Sequence, residues 1–284
     1  GIPSSCCIRL QSTPLISGHT PMQLDNDANL RVNRPHPYLP AAKAAGYFKS
    51  GSSSIENEEF LYETLRPNCV LTQGDYSIYL ADSPKRCSLV NKLITRMYSR
   101  RGYDTESAAV FSHDDRRITF EASSKHEPFG TLTLGIDSEK GLLADELYEK
   151  EINAFRLKNK KVCEVSKLAV DSTYGSKEVL ASLFHLAYIY ARTIHKASDA
   201  FIEVNPRHAG FYKRMLGFQA IGEVRTCQRV GAPAVLLHLE LDYMDTQISS
   251  LAGLREVKDK SLYPYFFPRY QEEGLARRLT CHLN

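Results

Sequence analysis

The stretch Phe201-Ile-Glu-Val-Asn205-Pro206-Arg-His-Ala-Gly-Phe-Tyr212-Lys-Arg-Met-Leu-Gly217-Phe218 decides how the chain is read. It predicts a short strand ending at Asn205, a helix opening at Pro206 and a stop at Gly217. Proline suits the first helical turn, where its missing N–H would be unpaired anyway. Asn205 offers a side-chain oxygen to cap that turn, and Gly217 suits the left-handed position after a helix.

Upstream, Val162-Cys-Glu164-Val-Ser166-Lys167-Leu168-Ala-Val170-Asp171 reads as a buried strand interrupted by Glu164 and Lys167. Regular alternation would place Val162, Glu164, Ser166, Leu168 and Val170 on one side and Cys163, Val165, Lys167 and Ala169 on the other. A carboxylate in such an apolar run is costly unless it is paired or used. Lys167 is the nearest cation, yet it falls on the opposite face. Catalysis is the other explanation for Glu164.

Around these motifs, strands are expected at 76–81, 117–122 and 130–136, and closing strands at 218–222 and 234–243. Helices are expected at 84–100, 143–157 and 178–195. The alternation of strands and helices predicts a mixed α/β sheet. Residues 1–74 read as a largely disordered or loosely packed leader, its first 54 residues rich in Ser, Pro, Asn and Gly, with a short helix at 56–65. The folded body is expected over 75–243, and 244–284 as a helical tail packed on it.

The chain has 284 residues, of which 43% are hydrophobic and 24% charged, an ordinary globular composition long enough for a sizeable core. No apolar run approaches a membrane span. A net charge of +3 is too mild to argue for nucleic acid. Seven cysteines lack metal-ligand spacing and point to a reducing compartment, so a cytoplasmic location and no metal are expected.

The strand-Asn-Pro-helix-Tyr-Gly-Phe string resembles the last α/β step of the GNAT acyltransferases. The Glu-x-Ser-basic string resembles the catalytic strand of the autoinducer synthases, with Lys167 where that family usually has Arg. Four segments in order resemble the long-chain N-acyl amino acid synthases of the FeeM type. They are Glu164–Asp171, Leu186–Ala191, Val204–His208 and Arg229–Leu237.

This resemblance implies a GNAT-like central sheet, splayed and flanked by helices. It implies transfer of a fatty acyl group from acyl carrier protein to the α-amine of an amino acid. The donor is the acyl-phosphopantetheine of the carrier, with no tightly bound cofactor. Glu164 is then the base, Tyr212 the proton donor to the thiolate, and Ser166 a positioning hydroxyl. Leu168, Val170, Gly175 and Asn205 would hold the donor arm, and backbone amides near Leu168 the oxyanion. A lactone-forming autoinducer synthase, another GNAT acyltransferase and a non-catalytic module binding acylated carrier protein remain alternatives.

Nucleotide-dependent GNATs carry a glycine-rich loop after the central strand whose amides cradle pyrophosphate. Here that loop is Ser172-Thr-Tyr-Gly175-Ser-Lys177, with only its middle glycine kept, which favours a donor without the nucleotide. A covalent Cys163–His208 mechanism is weaker, because alternation turns Cys163 off the Glu164 face. His185 and His195 read as structural or solvated. Basic residues along 85–100, with Lys158, Lys160, Lys161, Arg207, Lys213 and Arg214, form either a dock for an acidic carrier or a solvated face.

Overall fold

The computed structural model describes residues 68–100, 116–125, 127–227 and 232–283. The leader up to 67, with its expected helix at 56–65, lies outside the described residues.

Among the described residues nine strands form the sheet: β1 (Cys69–Gln73), β2 (Tyr76–Leu80), β3 (Arg117–Ser124), β4 (Glu127–Ile136), β5 (Val162–Val170), β6 (Asp199–Val204), β7 (Gln219–Ala220), β8 (Arg225–Cys227) and β9 (Ala232–Glu240). Their order is β1-β2-β3-β4-β5-β6-β9-β7, with β8 beside one end of β9. All pairings are antiparallel except β5 with β6. This is the mixed sheet expected from the sequence.

The helices are α1 (Pro84–Ser99), α2 (Asp145–Arg156), α3 (Lys177–Tyr188, continuing as a π-turn over Ile189–Ile194), α4 (Pro206–Leu216), α5 (Leu241–Leu251) and α6 (Arg269–Leu283). Helix α4 forms for the reasons legible in its sequence. Asn205 is extended and its side-chain oxygen accepts from Arg207 N at 3.2 Å, while Gly217 is left-handed at φ 89°.

One face of the sheet is apolar. Ile78, Phe120, Leu132, Cys163, Val165, Ile202 and Leu237 pack there with α3, α5 and α6 in the main core. Tail residues Phe266, Phe267, Leu275 and Leu279 are buried in the same core, each burial contributing roughly 1.5–3 kcal/mol. The other face is unusually polar. Thr119, Glu121, Ser123, Thr131, Thr133, Glu164 and Ser166 alternate with those core residues, and all are buried.

Two expectations need correction. The sheet starts at Cys69 rather than near Asp75, because Gly74, at φ 60°, turns β1 back onto β2. The strand expected at 234–243 stops at Glu240. Leu241, Met244 and Ile248 are buried at helical spacing, and that spacing makes the following segment α5.

The alternation along β5 also breaks. Thr133 faces Ser166 but Thr131 faces Ala169, so β5 carries one extra residue. The bulge falls at Lys167, held at φ 47°. Beyond it the faces exchange. Leu168 and Val170 join Cys163 and Val165 in the apolar core, while Ala169 packs on Leu93 and Met97 of α1. Leu168 and Val170 therefore lie opposite Glu164 and Ser166, not beside them.

Candidate active site

The parallel pair at the centre comes apart. Val162–Val165 pair with Asp199–Ile202, and there the β5–β6 ladder ends although β5 runs on to Val170. Among the described residues no strand replaces β6 beside that half of β5. The half-strand after Val165 thus borders a gap, and a left-handed Lys167 beside it is backbone strain of the kind that gathers at functional sites.

Glu164 stands one residue before the last paired rung and is 2% exposed. Its Oε1 accepts from Arg117 Nη1 at 3.1 Å and Leu143 N at 2.9 Å, and its Oε2 from Ala144 N at 3.0 Å. Leu143 and Ala144 lead into α2, so the carboxylate satisfies amides that a helix start leaves orphaned. Burial pushes the Glu164 carboxyl up, while Arg117 and the two amides pull it back. Three donors thus hold its two oxygens. Ser166, on the same face, donates to Thr133 O at 3.4 Å.

Tyr212 is fully buried on the apolar side, edge-on to Phe211 and Phe218 at 5.1 and 6.2 Å between centroids. Glu164 and Tyr212 therefore lie on opposite faces of the sheet. Asn205 ends β6 at the gap, buried and engaged as the cap of α4.

Behind β5 lies a cavity lined by Leu134, Cys163, Val165, Phe184, Ala187 and Ala200, among other apolar groups. Val165, on the last rung of the parallel ladder, is part of its wall. Cys163 is part of this wall, and burial pushes its thiol up, which removes it as a nucleophile at neutral pH.

The loop after β5 is closed on itself. Thr173 N donates to Asp171 Oδ1 at 3.0 Å, and Tyr174 N and Gly175 N donate to Asp171 O at 3.1 and 2.8 Å. The Asp171 carboxylate meets Arg96 and Arg100 at 3.6 and 3.9 Å. Three amides that could cradle a pyrophosphate are thus already committed. A Cβ on Gly175 would come within 3.1 Å of Asp171 O, which explains the one glycine kept. Lys177 swings away, its Nζ 3.3 Å from Lys260 O.

His185 is structural. Its Nδ1 accepts from Phe267 N at 2.9 Å, so Nε2 carries the proton toward Glu272 Oε1 at 2.7 Å, and burial lowers its pKa. No cluster of His, Cys, Asp and Glu among the described residues could hold a metal. No described helix is long and apolar enough to cross a membrane.

Sequence reading passed over Glu203, a second carboxyl at the gap. It lies on β6 two residues after Phe201, which packs with Val162 on the Glu164 face. The available signal was its place in that alternation, two positions before Asn205.

The model of the FeeM family of N-acyl amino acid synthases matches residues 90–240. The structure of FeeM, an N-acyl amino acid synthase from uncultured soil microbes, is 28% identical with a TM-score of 0.55. That match covers 60% of this chain and 94% of FeeM. A putative N-acetyltransferase from Lactobacillus plantarum is 15% identical, with a TM-score of 0.45 over 59% of this chain and 99% of its own. The acyl-homoserine-lactone synthase LasI is 13% identical, with a TM-score of 0.44 over 60% and 91%. No curated protein matches the sequence. The chain belongs to the FeeM family of N-acyl amino acid synthases and is an N-acyltransferase.

Proposed function

We propose that this enzyme transfers a long-chain acyl group from the phosphopantetheine arm of acyl carrier protein to the α-amine of an amino acid. The observation that carries this reading is the apolar cavity behind β5, which has Val165 of the last β5–β6 rung in its wall. A thioester lying in the gap would send its hydrocarbon chain into that cavity and present its carbonyl to both faces of the sheet. Amides of β5 near Leu168 and Val170 line the gap for the arm and the oxyanion, and Asn205 closes its end. Tyr212 supplies the proton for the departing thiolate from the apolar side. The self-closed loop Asp171–Gly175 offers no free cradle for pyrophosphate, which favours a carrier protein over a nucleotide donor.

The reaction is thioester aminolysis: the amine nitrogen bonds to the carbonyl carbon, the C–S bond breaks, and the carrier leaves as a free thiol. Exposed Lys85, Lys92, Arg96 and Arg100 along α1 give a basic edge suited to an acidic carrier. The test is competition between the two thioesters of one long-chain acid, on carrier protein and on coenzyme A, with pooled amino acids as acceptors. The carrier donor is expected to win by at least about tenfold in kcat/KM, or 1.4 kcal/mol. Equal use of both donors removes the argument from the loop.

A further inference from the structure

Glu203 has a setting unlike that of Glu164. Glu164 pairs with Phe201 and Val165 with Ile202, and then the ladder ends. Glu203 is therefore the first residue of β6 past the last rung whose side chain lies on the Glu164 face. It stands level with Ser166 across the gap. Its Oε1 is sealed from solvent and takes no hydrogen bond from any described residue. A buried acceptor without a donor bears an uncompensated desolvation penalty.

The neighbours leave it that way. From β5 it faces Glu164, whose charge is already held by Arg117 and two amides. From α2 it faces Tyr148, whose hydroxyl donates to the carbonyls of Glu223 and Ala234. Arg225 of β8 lies over the Tyr148 ring, 4.6 Å from its centroid, and is bonded to Glu151. Burial, helped by the Glu164 charge, pushes the Glu203 carboxyl up to about 8. Two carboxyls on one face, one held by three donors and the other with an oxygen that has none, mark different duties.

We infer that Glu203 seats the ammonium of the acceptor and takes its proton, an inference that rests on the acyl-transfer reading above. The ammonium supplies a positive charge beside Glu203, so the carboxyl ionises as it arrives. One N–H proton then passes to the carboxylate, leaving the neutral amine lone pair for the thioester carbon. The second proton leaves nitrogen as the C–S bond breaks and ends on the thiolate sulfur. A carboxyl near 8 matches an α-amine that also titrates near 8, so the transfer is nearly thermoneutral. Glu164 is then a positioning residue that fixes β5 and the start of α2 at the edge of the gap.

The test is Glu203→Gln beside Glu203→Asp. Melting at pH 6, where a glutamine resembles the protonated carboxyl, shows whether each variant is folded. With a long-chain acyl carrier protein thioester and each amino acid the wild type uses, kcat/KM of Glu203→Gln at pH 7 is expected to fall at least about 100-fold. The loss should shrink to about tenfold at pH 9.5, where the amine is already free, and Glu203→Asp should recover part of the rate. A Glu203→Gln rate within about threefold of wild type, with an unchanged pH profile, overturns the inference and leaves acyl transfer standing.

If the wild type transfers acyl groups to no amine, that reading falls and calorimetry decides the inference. The twenty amino acids are titrated singly at pH 7 in two buffers of different ionisation enthalpy. Release of about one proton per amine bound by wild type, and none by Glu203→Gln, supports it. No binding, or equal release by both proteins, overturns it.

Discussion

Arg117 reaches Glu164 across an intervening strand because the residue between them is Gly135. Arg117 of β3 and Glu164 of β5 both pair with Gly135 of β4, and Arg117 Nη1 lies 3.1 Å from Glu164 Oε1 above it. A Cβ at Gly135 would come 3.0 Å from Arg117 Nη1 and 3.6 Å from Glu164 Cγ. Gly135→Val is therefore expected to push the guanidinium off the carboxylate and cost about 2 kcal/mol of stability. Urea unfolding checks it; a midpoint equal to wild type would mean that Arg117 has another way over the strand.

Glu164→Gln keeps the shape but cannot answer a guanidinium and two amides with one carbonyl oxygen and an NH2 group. A loss of about 2–4 kcal/mol is expected, since breaking a buried charge pair leaves its partner uncompensated. Activity in the cold should suffer less than activity at the growth temperature. A variant that melts like wild type yet is inactive would return the role of base to Glu164.

Glu203 gives stability the opposite pH dependence from most carboxyls. Its folded-state value near 8 lies above the ordinary 4.5, so between those pH values the folded protein keeps a proton that the unfolded chain has released. Stability from this group therefore falls as pH rises from 4.5 to 8. Glu203→Gln does not titrate, so it should match wild type near pH 4.5 and exceed it by about 1–3 kcal/mol at pH 9. A difference that stays constant over this range contradicts the sealed, unbonded setting of Glu203 Oε1.

Ala187 and Ala200 line the cavity behind β5. Ala187→Phe should fill it and shift the enzyme toward shorter acyl chains, with kcat/KM for the longest accepted chain falling about tenfold or more. Profiling the products from a mixture of acyl carrier protein thioesters checks this; an unchanged chain-length profile would place the acyl group elsewhere.

What the sequence revealed depended on distance along the chain. The Asn205 cap, Pro206 and the left-handed Gly217 concern neighbours within one helix, and all three are found as read. The burial of Glu164 was legible from its apolar neighbours, but its partners were not: Arg117, Leu143 and Ala144 lie 47, 21 and 20 residues away. Only the packing of β3 and α2 brings them in. The bulge at Lys167 was invisible because Ser-Lys-Leu carries no glycine to announce a positive φ. That single residue turned Leu168 and Val170 to the opposite face. Glu203 read as an ordinary strand residue because only the end of pairing at Ile202 reveals what it faces.

The most direct test of the account is the mass of the product formed by wild-type protein given a long-chain acyl carrier protein thioester and pooled amino acids. The expected product is an N-acyl amino acid with the mass of the thioester's fatty acid plus one amino acid less water, with one free carrier thiol for each amide formed. Recovery of intact acyl carrier protein, with no amide to any amine, would contradict it and leave a protein that binds the acylated carrier without acting on it.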